Sequence, residues 1–128
     1  MREVVAQISK QGGGTDGQRI GEGFGNNNTC STTDVYIAQI DSAPLPSGIP
    51  TYNVIIVNAC ASGCSISDIH VKCEDFSSVE TVNPTLFRRL AFDNCLVNDG
   101  NFLAPGKQLS FQYANDKRYD LSVFSVAC

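Results

Sequence analysis

Few side chains in this sequence are chemically reactive, and most of those are thiols. Six cysteines (Cys30, Cys60, Cys64, Cys73, Cys95 and Cys128) stand beside one histidine, His70, and one adjacent carboxylate pair, Glu74-Asp75. An even cysteine count in a chain of 128 residues reads as three disulfides. Cys128 is the last residue, where a bridge would pin down an end that otherwise frays. The spacing does not choose among the possible pairings. Two alternatives compete. One is a set of reduced core thiols in a cytosolic protein. The other is a zinc site drawn from Cys60-x3-Cys64-x8-Cys73 with Cys95 and His70. That spacing lacks the paired C-x2-C knuckles that usually present four ligands tetrahedrally. We read disulfides and expect no metal or cofactor.

Catalysis finds little support. A Ser-His or Cys-His arrangement would have only His70 as its base. His70 lies between Ile69 and Val71 in an extended-looking segment, which suits a packed or surface ring better. Glu74 and Asp75 are neighbours, and neighbours on an extended chain point to opposite faces, a poor geometry for acid/base partners. The glycines from Gly12 to Gly25 follow no strand, so they do not form a phosphate-cradling loop. No Asp-x-Asp pair offers a divalent-metal clamp, and the absence of Trp removes the usual aromatic platform for sugars. The expectation is a protein that docks and catalyses nothing. Two basic pairs, Arg88-Arg89 and Lys117-Arg118, together with Tyr119, are the candidate contact residues, because arginine and tyrosine are enriched at interface hot spots. Lys117-Arg118 also has the form of a dibasic processing site. Cleavage there would split a closing strand hairpin, which disfavours it.

The elements that must position these residues are short and extended. Residues 1–29 hold seven of the eleven glycines and no cysteine, so they read as a flexible tail ahead of a domain at 30–128. The net charge of −4 and the sequence pI of about 4.7 argue against a nucleic-acid or polybasic membrane binder. Strand patterns run through Val35–Ile40, Thr51–Cys60, Cys64–Cys73, Leu109–Tyr113 and Tyr119–Cys128. In Cys64–Cys73, Ile69, Val71 and Cys73 share one face, with His70 and Lys72 on the other. Pro44, Pro46 and Pro50 bar a central strand or a helix between the first two patterns. Asn83-Pro84 carries cap and first-turn signals, and predicts one short helix or 3₁₀ turn with Leu86, Phe87 and Leu90 on one side. Asn98-Asp99-Gly100 and Pro105-Gly106 read as turns. The sum is an all-β, disulfide-stapled antiparallel sandwich with one short helix. Bridged cysteines imply an exported protein, although MREVVAQISK has no apolar signal core. Asn27-Asn28-Thr29 is a glycosylation sequon, and Asn27 is its acceptor candidate.

Several strings together carry a family resemblance. They are LPSGIPTY at 45–52, VNAC at 57–60, IHVKC at 69–73, FSS at 76–78, NP at 83–84 with FRRL at 87–90, DNCLVNDG at 93–100, LSFQYAN at 109–115, and YDLSV at 119–123 leading to Cys128. The chain resembles the tapetum determinant family of plant secreted proteins over 30–128, with all six cysteines in place. The resemblance implies a small extracellular ligand whose partner is the ectodomain of a leucine-rich-repeat receptor kinase, acting in tapetal cell fate in the anther or a related process. We expect a monomer before binding. Glu74-Asp75 departs from the family pattern, which has a glycine and an aromatic residue there. The competing function from another class is an extracellular cell-wall glycan-binding module, which a glycan array would reveal.

Overall fold

The computed structural model describes residues 29–128, so the glycine-rich segment and the Asn27 sequon lie outside the described residues. Seven strands follow one another: β1 Val35–Ser42, β2 Thr51–Asn58, β3 Ser67–Lys72, β4 Phe87–Ala91, β5 Asn94–Val97, β6 Gln108–Ala114 and β7 Ser122–Ala127. They form two antiparallel sheets, one of three strands ordered β1-β2-β6 and one of four ordered β4-β5-β3-β7. Two short 3₁₀ turns, Thr32–Asp34 and Asn98–Gly100, complete the regular structure of the described residues.

Strands β2, β3 and β5 bury alternate residues, as a sandwich demands, while β4 buries only Phe87 and β7 is at most half-buried. In β3, Ser67, Ile69 and Val71 are buried, while Asp68 and Lys72 face out. The inner faces meet through aromatic contacts. Phe87 of β4 stacks on Phe111 of β6 at 4.6 Å, and Phe76 meets Tyr113 edge-on at 5.1 Å. Val54, Ile56, Ile66, Ile69 and Val97 fill the same core without exposure. Burial of each such side chain contributes about 1.5–3 kcal/mol.

The predicted helix over 83–90 is a correction. Asn83 does cap a turn: Thr85 N–H donates to Asn83 Oδ1 at 3.0 Å, and Leu86 N–H donates to Asn83 O at 2.9 Å. The turn then ends, because Phe87 is drawn into the core and residues 87–91 pair with β5. Tertiary burial of one aromatic ring overrides a local helix preference. A second correction concerns the chain end. β6 pairs with β2 and β7 with β3, so residues 115–121 cross between sheets and close no hairpin.

The three bridges are Cys30–Cys128, Cys60–Cys64 and Cys73–Cys95, with no cysteine free. Cys73 and Cys95 are fully buried and join the end of β3 to β5 inside the core. Asp34 lies beside Cys60 and Cys64, yet the two sulfurs are bonded to each other and no thiolate remains to ligate a metal.

Candidate interaction surface

The outer face of the four-stranded sheet gathers residues from all its strands. Register places Arg88 opposite Leu96, Leu96 opposite His70, and His70 opposite Ser125, so these four form one row across the sheet. Between Val123 and Ser125 the register shifts by one residue, and the extra residue is Phe124. Its ring emerges beside His70, with centroids 5.8 Å apart. His70 Nδ1 lies 2.8 Å from Asn94 Oδ1, a carbonyl oxygen that accepts the ring proton. Leu90, Phe92 and Phe102 are also solvent-exposed around this sheet, Phe92 at 69% and Phe102 at 63%. These exposed rings make this face a candidate contact surface.

The two basic pairs do not form two basic patches. Arg88 and Arg89 are adjacent on a strand, so their side chains leave on opposite faces. Arg88 Nη1 donates to Asp99 Oδ1 at 2.6 Å and to Pro84 O at 3.2 Å on the outer face. Arg89 Nε donates instead to Phe76 O at 3.2 Å. Lys117 Nζ sits 2.5 Å from Glu74 Oε1, 3.9 Å from Asp75 Oδ1 and 5.0 Å from the Tyr119 ring centroid. The Glu74 carboxylate accordingly raises the Lys117 pKa above its ordinary value. Arg118 is exposed and makes no hydrogen bond or ion pair with a described residue. Tyr119 is buried. Its backbone N–H donates to Tyr113 Oη at 3.0 Å, its carbonyl accepts from Gln39 Nε2 at 2.7 Å, and its own hydroxyl donates to Asp75 O at 3.3 Å. Tyr119 therefore positions the loop rather than presenting a ring to solvent.

Glu74 and Asp75 also depart from the extended geometry that the sequence predicts. Glu74 has φ 53°, a left-handed turn, so both carboxylates reach the same lysine. Glu74 N–H donates to Asp93 Oδ1 at 2.9 Å, and Asp93 N–H donates to the Glu74 carbonyl. Residues 74–76 thus bring together Arg89, Lys117 and Tyr119, while Arg88 stands apart with His70. Sequence reasoning missed Leu96, Asn94 and Phe124. Leu96 was detectable from its alternation with Cys95 and Val97, whereas the bulge that exposes Phe124 has no local signature.

A disulfide-bridged β-sandwich with aromatic and charged side chains on one outer sheet face defines the class of small cysteine-rich all-β proteins, and its bridges fit an oxidising compartment. No helix among the described residues is long and apolar enough to cross a membrane. The family model described as "Tapetum determinant 1, C-terminal" matches residues 31–128. "TPD1 protein homolog 1" of Arabidopsis thaliana is 58% identical over 99 residues, covering 77% of this chain and 55% of that protein. In Oryza sativa subsp. japonica, "TPD1 protein homolog 1B" is 45% identical over 78% of this chain and 59% of its own length, and "TPD1 protein homolog 1A" is 48% identical over 74% and 45%. No solved structure matches. The chain belongs to the tapetum determinant family, and it spans about half the length of the curated relatives it matches.

Proposed function

We propose that this chain is a secreted signalling ligand that acts by docking on the ectodomain of a leucine-rich-repeat receptor kinase, in tapetum specification or a related cell-fate decision. The observation that carries this reading is the family match over 31–128, the same stretch that folds as the three-bridge sandwich. A stapled sandwich is stiff, and stiffness lowers the ordering cost of binding. We assign the contact to the outer face of the four-stranded sheet, with Leu96, His70 and Phe124 at its centre and Arg88 bordering them; Arg89, Lys117 and Arg118 lie outside that row and are candidates for a separate contact. An aromatic and aliphatic centre bordered by charge is the usual anatomy of such interfaces. The test is binding of the oxidised chain to isolated leucine-rich-repeat ectodomains, measured by calorimetry. Saturable binding by one ectodomain, lost on reduction of the disulfides, is the expected result. Failure of a broad ectodomain panel, with binding on a glycan array instead, would overturn it.

A further inference from the structure

A different part of the molecule holds solvent-facing polar groups that have no partner among the described residues. Asp41 and Ser42 end β1, Thr51 and Tyr52 begin β2, and the register pairs Asp41 with Tyr52 and Ser42 with Thr51. The connection between them borders an open, shallow depression of about 210 Å³ lined by Asp41, Ser42, Pro44, Gly48, Pro50, Thr51 and Tyr52. The connection is rigid. Gly48 N–H donates to Leu45 O at 2.7 Å, Leu45 N–H to Ile49 O at 3.0 Å, and Thr51 Oγ1 to Ala43 O at 2.7 Å. Pro44, Pro46 and Pro50 fix three φ angles as well. Gly48 holds φ +92° with open space where a side chain would stand, so the mouth stays clear.

The Asp41 carboxylate, the Ser42 hydroxyl and the Tyr52 hydroxyl have no hydrogen-bond or ion-pair partner among the described residues. Among the described residues no lysine or arginine lines the depression, so its single charge there is negative. The volume falls below the roughly 300 Å³ at which cofactor and drug-sized pockets begin, which leaves room for one side chain. The Tyr52 ring and the proline walls offer an apolar lining for a methylene stem, and the carboxylate offers a partner for a cationic head.

We propose that this depression is a recognition pocket for one cationic side chain, arginine or lysine, presented by a protein partner. The proposal rests on the docking role proposed above and adds a second contact, remote in sequence from the residues assigned there. The pocket selects by charge and by stem length together. A neutral isostere of arginine keeps the stem and loses the head, so it enters poorly.

The test uses the full isotopically labelled chain and a small probe, so it needs no receptor. N-acetylarginine methylamide is titrated against amide resonances, with the citrulline analogue as the neutral control. The expected result is a saturable millimolar-range shift at Asp41, Ser42, Gly48 and Tyr52, weakened about five-fold or more by Asp41→Asn and absent with citrulline. A shift of equal size with citrulline, one that survives Asp41→Asn, or no saturable shift at all would each overturn the proposal. A lysine analogue run in parallel separates recognition of a planar guanidinium from recognition of any cation. Asp41 is exposed and unpaired, so Asp41→Asn leaves the fold intact, and the undisturbed remainder of the spectrum checks this directly.

Discussion

Single residues decide whether the turns around the bridges hold their shape, and Asn58 is the clearest case. Its side chain is fully buried and fully used. Nδ2 donates to Cys64 O at 2.7 Å and Leu103 O at 2.8 Å, and Oδ1 accepts from Cys60 N–H at 2.9 Å. Asn58→Ala removes all three bonds, orphaning Cys64 O and Cys60 N–H and leaving Leu103 O with the Ile66 N–H alone. We expect a loss of about 3 kcal/mol or more by chemical denaturation, against under 1 kcal/mol for a typical exposed polar position. Tyr113 sets a pH limit instead. Burial raises its pKa to about 12, while its hydroxyl donates to Gln39 Oε1 at 2.7 Å. A folded-state pKa above the unfolded value of 10.0 means the neutral hydroxyl is the one the fold favours. The contribution is complete below pH 10.0 and disappears as the pH rises toward 12, a change of up to about 3 kcal/mol. Tyr113→Phe lowers stability at neutral pH through the lost hydrogen bonds but flattens the alkaline decline. Denaturation midpoints measured in steps from pH 9 to 12 check the sign. A variant as steep as the parent refutes it.

At the scale of elements, β4 carries the sharpest lesson about reading the sequence. The strand patterns for β1, β2, β3 and β6 were legible because their apolar residues alternate or run continuously. Segment 83–91 was not, because its capping signals are real and local while the force that ends the turn comes from Phe111 and Val97 across the core. The same applies to the surface. A helix would have kept Arg88 and Arg89 on neighbouring flanks, whereas the strand separates them. Charge reversal therefore splits into two outcomes. Arg88→Glu breaks an exposed pair with Asp99 and should cost at most about 1 kcal/mol of stability. It should nonetheless weaken receptor binding at least about ten-fold if the outer face is the contact, the loss usual for a charged hot-spot residue. Calorimetry on the folded variant separates the two effects. Unchanged affinity removes Arg88 from the proposed contact. The pairing of the cysteines was equally illegible, since it depends on which strands become neighbours and on no spacing in the chain.

For the whole molecule, the three bridges restrain the unfolded chain very unequally. Their sequence separations are 98, 22 and 4 residues. In the loop-entropy account, closing the longest contributes about 5 kcal/mol and the shortest about 2. Paired Cys→Ser substitution at Cys30 and Cys128 should therefore lower stability more than the same change at Cys60 and Cys64. Substitution at Cys73 and Cys95 adds the burial of two hydroxyls in an apolar core, so it can exceed its loop-length ranking. Urea midpoints for the three double variants test the order, and a Cys60/Cys64 variant as weak as the Cys30/Cys128 variant contradicts it.

The longest bridge has one more effect. Cys30 and Cys128 hold their Cα atoms 6.3 Å apart, so the covalent path from one to the other and back closes on itself. A few peptide units could span that gap in place of the sulfurs. The sandwich is thus suited to circular permutation, with fresh ends cut at the exposed turn of Ala61, Ser62 and Gly63, where the Cys60–Cys64 bridge would still hold the two new ends together.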